Sequence, residues 1–246
     1  MKKYILLLLC LCLLLSGCAA PGPLPAHTPP SVSTETVTQH TKAEDGTLLL
    51  ERSYPRFTLT IGDHKITQTI ARDLQSRIDG WMALSADLEG YALGEYTAEM
   101  GWTKWFARLE SQITRLDSQV FSLFFEYSEF TGGNHPSQVT YSVTYDCTTG
   151  QALELDQLLT EGYTVPLLSV FVNANLASQA ENLYDDYEAL VGKAFTDGDI
   201  HWYLSEEGLC FHFAPYDIGP YSSGTVTAVI PYEQLSSILQ EQYLPA

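Results

Sequence analysis

Basic side chains are what this 246-residue sequence most lacks: 12 Lys and Arg stand against 30 Asp and Glu, a formal net charge of −18. The shortage is regional. No Lys or Arg occurs between Arg115 and Lys193, and from Cys147 to the C-terminus Lys193 is the only one beside 14 acidic residues. Such a surface repels nucleic-acid phosphates, which argues against nucleic acid as a partner and suits a cationic protein; the same acidity also keeps an exported protein soluble. Cysteine is sparse too. Of the five, Cys10, Cys12 and Cys18 lie near the start, which leaves Cys147 and Cys210. These two read either as a disulfide in an oxidising compartment or as small buried apolar side chains. No C-x-x-C pair or Cys/His cluster has metal-ligand spacing, so no metal or other cofactor is expected. There is no G-x-S-x-G elbow, no H-E-x-x-H, no S-x-x-K and no glycine-rich phosphate loop. No catalytic residue is assigned, and a non-enzymatic protein is the expectation.

The long apolar run comes at the start. Lys2 and Lys3 precede a run from Tyr4 to Leu15, followed by Ser16, Gly17 and Cys18. The run is shorter than the roughly 20 residues of a spanning helix and ends at small residues, which makes residues 1–17 a signal peptide. The segment Leu15-Ser16-Gly17-Cys18 resembles a bacterial lipobox, with Cys18 as the lipidation site and first residue of the mature chain. The expected location is extracytoplasmic, anchored by lipid to the outer face of the cell membrane without spanning it. Residues 18–46 carry Pro21, Pro23, Pro25, Pro29 and Pro30 and a Ser/Thr-rich tail, and are expected to be an unstructured tether.

The remainder is expected to form two α+β domains, residues 47–140 and 141–246. Residues 48–61 alternate, broken at Pro55, and read either as an early strand pair or as a strand entering a turn. Ile66, Ile70, Leu74, Ile78 and Trp81 recur at helical spacing and predict a helix over 66–88 with its apolar stripe in the core. Trp102, Trp105 and Phe106 read either as core or as an exposed aromatic patch. Residues 108–116 and 120–130 predict a hairpin turning at Asp117 and Ser118, and 139–146 a further strand. Asp156 reads as the N-cap of a short helical turn. Helices over 166–182 and 184–195, a hairpin turning at 205–208, a strand over 225–230 and a helix over 232–239 complete the chain. The expected fold class is α+β: antiparallel sheets with covering helices, in two small lobes in tandem.

The stretch 126–159 concentrates glycine, histidine and carboxylates. Within it, Gly132 and Gly133 permit backbone angles closed to other residues, and Asn134 and His135 follow, with Glu126 and Glu129 upstream. These four polar residues are the leading candidate site, although turn chemistry alone also accounts for the segment. Tyr216, Asp217 and Tyr221, in the Pro/Gly loop 215–224, are a second candidate contact surface. His201 and His212 fall in the two arms of a predicted hairpin but have no assured carboxylate partner, so metal binding is not expected.

Three segments carry a family resemblance: TGGNHP from Thr131, the strand ending D-x-x-T-G at Asp146 with L-x-L-x-x-L-L after it, and FHFAPYDIGPYSSGTVTAVIPYEQL from Phe211. Over about residues 48–239 the chain resembles the paired domains of unknown function in the ectodomains of lysozyme-sensing (RsiV-like) anti-sigma factors. The resemblance is more specific in the second half. It implies two α+β lobes outside the cell and a binding role, with a cationic protein such as lysozyme as partner. An anti-sigma factor needs a cytoplasmic segment and a spanning helix; a lipobox stands here instead, so that activity is not expected. A related module precedes the catalytic domain of some peptidoglycan deacetylases, but no metal-binding catalytic domain is recognisable in the sequence. The alternative function is a cell-wall glycan binder or glycan-modifying envelope protein using His135, Glu126 and Glu129 with Trp102 and Trp105.

Overall fold

A computed structural model describes residues 29–99 and 101–245, so the signal peptide, Cys18 and the front of the tether lie outside the described residues. The first sheet contains β1 (Ser31–Lys42), β2 (Leu48–Thr60), β3 (Trp105–Leu116), β4 (Val120–Phe130) and β5 (Ser137–Asp146), side by side in chain order. The expected antiparallel sheets need one correction, at a single pair. β2 and β3 run parallel over Leu50–Ser53 opposite Trp105–Arg108, because α1 (His64–Ala83) and α2 (Leu88–Glu95) carry the chain back between them.

β1 is a second correction, since residues 31–42 were expected to belong to an unstructured tether. Its Ser, Thr and Val residues pair in register with β2 from Ser31 opposite Thr60 to Thr41 opposite Leu50. The strand is almost wholly exposed, so main-chain bonds rather than burial hold it. β2 also runs unbroken through Pro55, which lies beyond the segment paired to β3, where β2 has a neighbour on one side only.

Alternation along β4 and β5 gives the first sheet two different faces. Leu123, Phe125, Tyr127, Val143 and Tyr145 pack with Ile70, Leu74 and Ile78 of α1 in one core. The Asp63 carboxylate caps α1 by accepting from Ile66 N–H at 2.9 Å. The opposite face presents Ser122, Phe124, Thr140 and Ser142 to a second, antiparallel sheet of β6 (His201–Leu204), β7 (Gly208–Phe213) and β8 (Val226–Pro231). On the far side of that sheet lie α3 (Leu168–Leu176) and α4 (Tyr187–Asp197). Their Val172, Leu176, Val191 and Phe195 close a second core on Leu209, Phe211, Ala228 and Ile230. β7, covered on both faces, is buried along its whole length. The architecture is therefore α+β, with two sheets face to face and helices outside each.

The helix expected over 166–182 is α3 flanked by tight 3₁₀ turns at Val165–Leu167 and Ala177–Asn182, and the last helix, α5 (Tyr232–Leu235), is shorter than expected. The turn Leu155–Leu158 is capped reciprocally by Glu154 and Gln157 rather than by Asp156. The expected boundary at 140/141 falls inside β5.

Polar side chains join the two sheets. Thr114 donates to the Leu204 carbonyl at 2.8 Å, Leu204 N–H donates to Ser122 Oγ at 3.0 Å, and Ser142 Oγ donates to the Trp202 carbonyl at 2.6 Å. His212, only 1% exposed, lies between Thr140 Oγ1 and Ser142 Oγ, each at 2.9 Å. Since the Ser142 proton is committed to Trp202, its oxygen accepts from His212 Nε2–H, and Nδ1 accepts from Thr140.

Candidate functional site

Two loops, one from each sheet, meet at the surface. The β4–β5 connection turns at Gly132 and Gly133, both at φ 102°, and delivers His135. The His135 ring stacks on Tyr221 with centroids 3.9 Å apart and planes 22° apart. Its Nδ1 lies 2.9 Å from the Pro136 carbonyl and can only donate to it, which leaves Nε2 to accept from the Tyr216 hydroxyl at 3.4 Å. Tyr216 and Tyr221 are 5.8 Å apart, so three aromatic rings form one platform.

Tyr216 holds the unusual position. Its φ of 78° makes it the one non-glycine residue with positive φ among the described residues. Ala214, Pro215, Tyr216 and Asp217 form a turn closed by Asp217 N–H donating to the Ala214 carbonyl at 3.1 Å. Proline at the second place and positive φ at the third is the type II pattern, whose third place favours Gly or Asn. An aromatic residue there costs on the order of 1–3 kcal/mol. The turn is pinned by Asp217 Oδ2, which accepts from Ala214 N–H at 2.7 Å, and by Tyr216 N–H donating to the Gly219 carbonyl at 3.0 Å. The residue is nevertheless 56% exposed.

Beside the platform a cleft of about 280 Å³ opens between β5 and the second lobe, with Val139, Lys193, Asp197, Asp199, His201 and Asp217 on its walls. Lys193 pairs with Asp197 one helical turn on. Lost hydration at the cleft wall raises the Asp217 pKa, opposed by its bond from Ala214 N–H. A further cleft of about 190 Å³ has Arg77, Ser142, Glu154 and Trp202 in its lining, and His201 borders both.

The residues singled out in the sequence divide accordingly. His135, Tyr216 and Tyr221 come together, and Asp217 supports their turn. Asn134 is exposed beside them. Glu126 accepts from Gln138 at 3.0 Å and Thr225 at 3.4 Å, and Glu129 accepts from the Tyr127 hydroxyl at 2.6 Å, so neither carboxylate is bonded to His135. Trp105 is buried and Trp102 bonds the Leu49 carbonyl, their rings 4.9 Å apart in a separate core with Leu50 and Ala92. The glycan-site grouping of these Trp with His135 is therefore not assembled.

Cys147 and Cys210 are free, buried thiols, which is the second of the two readings and not the disulfide. Cys147 belongs to the α1 core, whereas Cys210 lies in β7 with Ser205 as its neighbour. Burial pushes the Cys147 thiol up to about 12 and raises that of Cys210. His201 and His212 do stack, at 5.4 Å. Among the described residues no group of three or more His, Cys, Asp or Glu could hold a metal. The meeting of the two loops was not readable from sequence, where each was recognised separately as turn-rich.

Face-to-face sheets with outer helices place the chain in the α+β class, with a loop-built aromatic platform at the surface. Residues 156–233, which include Tyr216 and Tyr221 but not His135, match the domain family described as protein of unknown function (DUF3298). The fold is similar to the crystal structure of a DUF3298 family member from Bacteroides fragilis NCTC 9343, with TM-score 0.57 and 19% identity over 87% of this chain and 94% of that one. It is also similar to a DUF3298 family protein from Pseudomonas aeruginosa PAO1, with TM-score 0.55 and 17% identity over 88% and 98% of the two chains. No curated protein matches the chain.

Proposed function

We propose that the protein is an extracytoplasmic lipoprotein, held by lipid on Cys18 to the outer face of the cell membrane, that binds a cationic partner protein without transforming it. The observation that carries this reading is Tyr216, an exposed ring kept in a backbone conformation that disfavours it, stacked into a platform on an acidic lobe. Aromatic faces attract guanidinium and ammonium groups, and a field of one sign steers a partner of the other. The resemblance to lysozyme-sensing ectodomains makes lysozyme the partner to test first, and the lipobox supports the anchor.

Titrating lysozyme against the soluble folded part at low and high salt tests the proposal. Binding at low ionic strength that weakens steeply with salt is expected. Tyr216→Gly is expected to weaken it by about tenfold through loss of the ring while raising thermal stability, because glycine adopts positive φ freely. Absence of binding at low salt, or unchanged affinity in Tyr216→Gly, overturns the reading of the platform.

A further inference from the structure

β5 is the outermost strand of the first sheet, with β4 on one side only. At its C-terminal end the free edge is already used: Leu153 N–H donates to the Thr144 carbonyl at 2.8 Å and Asp146 N–H to the Gln151 carbonyl at 2.9 Å. In an antiparallel ladder successive residues point their main-chain groups alternately inward and outward. Gln138, Thr140 and Ser142 therefore point theirs outward, as Thr144 and Asp146 do. Among the described residues, no bond reaches these outward main-chain groups from outside the sheet.

This edge borders the two clefts, the larger touching Val139 and Thr140 and the smaller Ser142 and Thr144, with His201 common to both. The larger carries Asp197, Asp199 and Asp217, and the smaller has Glu154 beside Arg77. The cations present are Lys193, tied to Asp197, and Arg77, tied to Asp73. Side chains two apart on an extended chain repeat at roughly 7 Å, which lets consecutive outward residues enter a series of adjoining clefts.

We propose that the free edge of β5 from Gln138 to Ser142 takes an extended basic peptide segment as an added strand. Its main chain pairs with Thr140 and Ser142, and its Lys or Arg side chains lie in the larger, acidic cleft. The inference rests on the partner being cationic and adds how it is held: strand addition supplies main-chain bonds, and the acidic cleft selects the side chains.

Three peptides of equal charge test it against the intact folded chain: an alternating Lys/Thr peptide of about ten residues, and the same peptide N-methylated at every Lys or at every Thr. An added strand directs one set of N–H groups at β5 and the other to solvent. One methylated peptide is expected to lose affinity by about tenfold or more and the other to bind like the parent. Hydrogen exchange at Thr140 and Ser142 is expected to slow with the parent peptide. Equal binding by all three overturns strand addition while leaving charge-driven capture standing. So does the absence of peptide binding in a preparation that still binds lysozyme. Failure of both lysozyme and peptides removes the cationic-partner reading itself.

Discussion

Arg115 is 2% exposed, and its guanidinium donates to Asp117 at 2.6 Å, to the Tyr232 hydroxyl at 2.8 Å and to the Tyr243 carbonyl at 2.6 Å. One side chain of the first sheet thus holds the start of α5 and the final turn of the chain. Arg115→Met would leave the Tyr243 carbonyl without that donor and the Asp117 carboxylate without its cation. The expected loss is about 3–5 kcal/mol, read as a lower urea midpoint; a loss well under 1 kcal/mol would mean that water replaces the bonds freely. The sequence shows Arg115 only as the last cation before a long acidic stretch. Nothing local says that it is buried, because two of its partners are 117 and 128 residues away. Tyr216 was hidden for the opposite reason. Pro215 and Asp217 announce a turn, but the glycine that would have announced positive φ is replaced by the very residue whose strain is informative.

Elements with one apolar face were legible from their period: α1 from Ile70, Leu74 and Ile78, and β5 from the alternation that ends at Asp146. β1 was not, because an exposed edge strand leaves no apolar period, and the parallel β2–β3 pair was not, because intervening helices do not encode which edge the chain rejoins. Gly208 marks another close fit at element scale. A Cβ there would lie 2.0 Å from the Ile230 carbonyl oxygen of β8, so the two strands can approach as they do only without a side chain. Gly208→Ala is expected to force β7 and β8 apart and cost about 2–3 kcal/mol or more in thermal unfolding. Unchanged stability would show that the strand pair shifts without resistance.

At the scale of the whole molecule, the sheets meet through His212 and the hydroxyls of Thr140 and Ser142. Burial, reinforced by neighbouring His201, holds the His212 pKa down to about 3, against 6.5 for the free side chain. The unfolded chain therefore takes up a proton below pH 6.5 that the folded protein refuses until about pH 3. The His212 contribution to stability is full above pH 6.5 and declines as pH falls through that window, at up to about 1.4 kcal/mol per pH unit. Chemical denaturation from pH 7.5 to 4 is expected to show this slope, and His212→Asn to flatten it. A slope unchanged in the variant assigns it to the carboxylates instead. The α+β class was readable from the order of periodic segments. The stacking of the lobes was not, because Ser122, Thr140 and Ser142 look in sequence like a solvated strand face.

β1 also gives the molecule a mechanical character. A pull arriving from ahead of Ser31 enters the folded body at the end of a 12-residue strand whose neighbouring contacts are the ladder to β2. Directed along the strand, such a load must shear many main-chain bonds at once; directed across it, the load opens them in succession from the Ser31–Thr60 end. The resistance of the fold to force is thus set by the direction from which the chain is drawn.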